Sequence, residues 1–89
     1  MEPNLTQRPY VEQAVTAARV ALEVYRVHKT RNLNILASFE REFKRVEILG
    51  EQHERGEATL ATVVYPARKL AYQIEAATDL LNDDAPAVA

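Results

Sequence analysis

His28 and His53 are the residues of this 89-residue chain best suited to acid–base or metal chemistry, and their spacing gives them little to work with. Neither stands at ligand distance along a helix from a second histidine or a carboxylate, and His53-Glu54 lacks the paired histidine of a helical zinc motif. Both fall near expected helix ends, where a positive charge suits the negative pole of the helix dipole. Glu51, Glu54 and Glu57 form an acidic edge that reads as solvated, and Ser38 is the one serine, with no base beside it. There is no cysteine, so disulfides and thiolate metal sites are excluded. The residue types predict a non-enzymatic protein with no cofactor, no metal and no small-molecule substrate.

Association chemistry has more to draw on. Tyr65 and Tyr72, seven residues apart, share a helix face with Ala58, Ala61 and Ala76, and Arg68 and Lys69 flank it. Tyrosine beside arginine and small residues is the composition of an interface centre, so Tyr65, Arg68, Lys69 and Tyr72 are the candidate partner-binding set. Tyrosines that merely cap a bundle with their hydroxyls in water would show the same pattern. A basic corner, Arg26, His28, Lys29 and Arg31, is a possible contact for an acidic surface. It reads equally as a solvated turn between helices.

The elements that must carry these groups are helical. Ala, Leu, Glu, Gln and Arg dominate, and two glycines and four prolines leave little turn chemistry. The first helix, about residues 9–29 with Pro9 in its first turn, is apolar round most of its circumference. Val11, Val15, Ala18, Leu22 and Tyr25 take one side, and Ala14, Ala17, Val20, Ala21, Val24 and Val27 continue round the back. Glu12, Thr16, Arg19, Glu23 and Arg26 are squeezed into roughly a quarter of the wheel, whereas an ordinary surface helix needs an apolar stripe only a little over ~100° wide. Such a helix must be covered from two directions, which predicts a homodimer assembled through Ala17, Val20, Val24 and Val27.

The second helix, about 33–55, carries Ile35, Leu36, Phe39, Phe43, Val46 and Leu49 on one face, with Asn32 as a possible N-cap and Gly56 as its stop. No glycine or proline separates it from the first. The apolar spacing runs on in phase through Lys29 and Asn32, so one long bent helix from Pro9 to about Arg55 is the alternative. The third helix, about 57–81, has Leu60, Val63, Val64, Ala67, Leu70, Ala71, Ile74 and Leu81 as its main face and a kink at Pro66. A short extended piece over Thr59–Tyr65, with the helix starting at Pro66, is the other option. The expected architecture is all-α: a small three-helix up-down-up bundle or a long helical hairpin. Residues 1–8 read as a flexible arm, 9–82 as one domain and 83–89 as a disordered tail.

The net charge of −2 conceals an asymmetry. Residues 19–45 hold seven Arg and Lys against three acids; residues 46–89 hold three against eight. The halves could attract one another within or between subunits, and the overall acidity weighs against general nucleic-acid binding. No run is long or apolar enough for a membrane span and no secretory leader is visible, so a cytoplasmic location, in the producing or infected cell, is expected. The expected function is a small interaction module that binds and regulates or inhibits a partner protein, of the bacterial or phage accessory type. The alternative is a DNA-associated transcriptional regulator using residues 26–45.

One stretch carries a family resemblance. Tyr65-Pro66-Ala67-Arg68-Lys69 is similar to the segment that places an arginine at a helix start in small all-helical chorismate mutases. The resemblance implies an intertwined dimer and a helical enzyme in which Arg19, Arg26 and Arg68 would line the site. The chain departs from that pattern in its first helix, which lacks the family's acid and arginine, and at Lys69, where the family has glutamate.

Overall fold

In a computed structural model describing residues 6–84, the chain forms three helices: α1 (Arg8–Arg26), α2 (Leu33–Glu54) and α3 (Leu60–Asp84). His28, just after α1, hydrogen-bonds Asn82 near the end of α3, while Gln7, just before α1, hydrogen-bonds His53 at the end of α2. The helices therefore run up, down and up, with α1 and α3 parallel. The long-hairpin alternative is not what forms.

The break after α1 has a local cause. Asn32 accepts from the backbone N–H groups of Asn34 (2.9 Å) and Ile35 (3.1 Å), giving α2 its N-cap. The Asn32 N–H itself donates to the hydroxyl of Tyr25, 1% exposed in the core. A single helix from Pro9 to Arg55 would forfeit both arrangements. The first helix accordingly stops at Arg26, not 29, leaving Val27–Asn32 as the turn.

At the other end of α2, Gly56 adopts φ of 75°. Its N–H bonds the carbonyl of His53 (3.0 Å) and the Glu57 N–H bonds that of Gln52 (2.7 Å). This paired pattern closes a helix through a left-handed residue that only glycine adopts without cost. Because Gly56 and Glu57 are committed to that cap, α3 cannot start at 57. It starts at Leu60, where Thr59 Oγ1 accepts from the Thr62 N–H at 3.3 Å. The helix passes without interruption through Pro66, so Thr59–Tyr65 is not an extended piece. It also runs to Asp84, past the expected end at Leu81. At the N-terminus, Gln7 and Arg8 belong to the cap and first turn of α1. Thr6 lies in the turn before it, and residues 1–5 of the expected arm and 85–89 of the expected tail lie outside the described residues.

The core explains how three slim helices hold together. Ala14, Ala18 and Ala21 of α1 and Ala67 and Ala71 of α3 are buried, so these two helices meet through small side chains. Leu22, Tyr25, Leu36, Phe43, Val46, Leu70 and Ile74 fill the centre, with Phe39 edge-on to Tyr25 at 5.4 Å between ring centroids. Thr78, also buried, satisfies its hydroxyl on the Ile74 carbonyl at 2.9 Å. Among the described residues no buried side-chain polar atom lacks a partner.

Candidate interaction surfaces

The polar residues suited to chemistry are structural links in this fold. His53 is buried, and its Nε2 meets Gln7 Oε1 at 3.0 Å, tying the start of α1 to the end of α2. The Thr30 backbone N–H donates to His28 Nδ1 (3.2 Å), so Nε2 carries the proton and donates to Asn82 Oδ1 at 2.8 Å. Neither ring acts as a bare charge at a helix end. Nothing in the spacing along the chain could have revealed Gln7 or Asn82 as their partners, because both contacts span about half the chain or more. Among the described residues no three His, Asp or Glu side chains gather as a metal cage would require.

The basic corner is partly neutralised. Arg26 reaches Glu23 at 2.6 Å and Glu40 at 3.1 Å. Its pKa is raised, first by the hydrogen bond to Glu40; desolvation opposes this next, and the charge and hydrogen bond of Glu23 and the charge of Glu40 add to the rise. A raised arginine pKa means that the stability linked to the arginine's own proton is present below its ordinary pKa and is lost only in strong alkali. Arg31 donates to the His28 carbonyl at 3.1 Å, while Lys29 is exposed. The three arginines singled out by the mutase resemblance do not converge within the chain. Arg19 stacks over Phe43 (5.8 Å to the ring centroid) and Arg26 pairs with α2, whereas Arg68 lies exposed on α3 beside Tyr65 and Lys69.

Tyr65 and Tyr72, seven residues apart on an unbroken α3, stay on one exposed face of that helix. Tyr65 (78% exposed) and Lys69 edge a groove between α2 and α3, with Glu42, Arg45 and Leu49 on its far side. Tyr72 (75% exposed) points away from the bundle centre, on the opposite side of α3 from buried Ile74 and Leu70. The hydroxyls of both face solvent. Exposure leaves them available to a partner and is also what bundle-capping tyrosines would show.

On α1 the apolar back is split in two. Ala14 and Ala21 are buried in the core, but Ala17, Val20, Val24 and Val27 remain uncovered, the three valines at 56, 49 and 75% exposed. They form one stripe at helical spacing on the side away from α2, which α1 meets through Val15, Arg19 and Arg26. No described helix is long and apolar enough to cross a membrane.

Comparison with family models, with curated proteins and with solved structures finds no match to this chain.

Proposed function

We propose that this chain is a small, non-enzymatic helical interaction module that pairs with a second copy of itself through α1 and binds and regulates a partner protein through its exposed tyrosines. One observation carries the reading. After α1 has been packed against both other helices, its Val20 and Val24, and Val27 at its C-cap, still lie open. Their combined exposure is nearly that of two fully exposed valines, and burying a valine completely is worth about 1.5–2 kcal/mol. Each subunit contributes that amount, so complete burial of the stripe in a two-fold pairing gains about 6 kcal/mol, a gross figure from which the cost of association is still to be subtracted. Neighbouring Ala17 and Tyr10 supply further contact area.

Self-pairing also suits the size of the molecule. A domain under 100 residues buries only about 60–65% of its unfolded surface and is marginal on its own. Binding that requires the folded state adds stability by mass action. The DNA-associated alternative draws less support, because Arg26 is already engaged by two carboxylates.

Sedimentation tests the pairing. At micromolar concentration the protein should sediment at twice its chain mass, and Val24→Glu should halve it while leaving the helical circular dichroism unchanged. A wild-type protein that stays monomeric and unaggregated at 100-fold higher concentration overturns the proposal.

A further inference from the structure

A second surface, on the other side of α1, is built differently from the valine stripe. Between α1 and α2 lies a groove of about 430 Å³ whose floor is Val11, Val15 and Gly50. At position 50 α2 presents no side chain to this groove. A Cβ built there would sit 4.0 Å from Val11 Cγ1 and 4.0 Å from Val15 Cγ2, an ordinary contact distance with nothing nearer. Packing therefore does not demand glycine, although glycine in mid-helix is unfavourable. The volume left open is at the low end of ligand pockets and has room for a large apolar side chain.

The rim is acidic. Glu12, Glu47, Glu51 and Glu54 stand against two arginines, Arg8 and Arg19. Arg8 is held by Glu12 (3.2 Å) and Glu54 (2.9 Å), and Arg19 lies over Phe43. Among the described residues Glu47 and Glu51 have no ion-pair partner. They are four apart on α2, so they project from the same face one turn from each other. An apolar seat beside two uncompensated carboxylates at one-turn spacing is complementary to an amphipathic helix that carries basic residues at the same spacing along its apolar edge.

We propose that the α1–α2 groove docks a basic-edged amphipathic helix of another protein, with one apolar side chain over Gly50 and two cations on Glu47 and Glu51. The site is separate from the valine stripe, so its occupancy does not depend on self-pairing.

The probe is a fluorescein-labelled Leu–Lys helical peptide of about 18 residues, long enough to hold a helix when bound. Anisotropy at low salt should show saturable binding, and a Leu–Glu peptide of equal length should show none. Gly50→Met, which fills the seat, and Glu47→Lys/Glu51→Lys, which reverses the rim, should each weaken binding by about tenfold or more. Glu75→Lys/Asp79→Lys makes the same change in net charge on α3 and should stay within about twofold of wild type. Val24→Glu should also leave binding unchanged. Should Gly50→Met fail to fold, the pair of exposed rim substitutions still decides. Absence of peptide binding overturns the proposal, as does equal weakening by the α3 charge reversal, which would mark the attraction as net charge alone. Loss of self-association in Glu47→Lys/Glu51→Lys would also overturn it, by showing that the groove holds a second copy of the chain.

Discussion

Gly50→Ala separates a glycine that the fold requires from one that it merely tolerates. Gly50 lies well inside α2, and only Gly56 among the glycines has a positive φ, so alanine meets no backbone strain at position 50. Helix propensity favours alanine over glycine by about 0.8–1.0 kcal/mol. The new methyl would rest 4.0 Å from one methyl of Val11 and one of Val15, adding about 0.1–0.2 kcal/mol per contact. Partial burial of the methyl adds a few tenths more from a transfer term of about 0.8 kcal/mol per carbon. The expected gain is about 1–1.5 kcal/mol, which for a domain of this size raises Tm by roughly 4–8 °C per kcal/mol. Thermal and urea unfolding followed by circular dichroism should show the rise with an unchanged urea slope. The comparison must be made at matched concentrations, because self-pairing would make Tm concentration-dependent. A lower Tm would refute the reasoning. It would mean that α1 and α2 approach more closely at Gly50 than 4.0 Å contacts allow, and the groove would lose its floor along with its explanation.

Four further substitutions probe how the helices are joined. Tyr25→Phe removes the acceptor of the Asn32 N–H inside a part-buried turn and should cost about 1–3 kcal/mol in urea unfolding, with helix content retained. Asn32→Ala strips the cap from the Asn34 and Ile35 N–H groups and should cost about 1 kcal/mol by the same measurement; no loss would mean that the break between α1 and α2 does not depend on the cap. Ala18→Leu forces a large side chain into the α1–α3 seam, where Ala18 is fully buried, and should cost about 1–3 kcal/mol, whereas Ala17→Leu on the open stripe should cost almost nothing. Equal effects of the two would place the seam wrongly.

Much of this fold is legible along the chain, because its signals are local. Asn32 as a cap and Gly56 as a stop need only the residues within a turn of them, and the structure places both where those types predict. The buried positions Val11, Ala18, Leu22 and Tyr25 on α1, and Val63, Ala67, Leu70 and Ile74 on α3, follow from helical periodicity, which one apolar face suffices to announce. Helix ends were harder to read. The residues that close α1 and open α3 are Tyr25, through its hydroxyl, and Thr59, and apolar spacing continues smoothly past both.

What periodicity could not supply was the neighbour. A helical wheel fixes the angle of every side chain about its own axis and is silent on what stands opposite. Ala14 and Ala21 share the apolar back of α1 with Ala17, Val20 and Val24, yet only the first two are buried when the three helices pack. The same limit applies to the groove at Gly50 and to the pairings of His28 with Asn82 and His53 with Gln7. Composition and spacing decided that the chain is helical, where its turns are capped and how much apolar surface it carries. Tertiary packing alone decided which part of that surface stays open, since this depends on the distance and tilt between helices that are far apart in sequence.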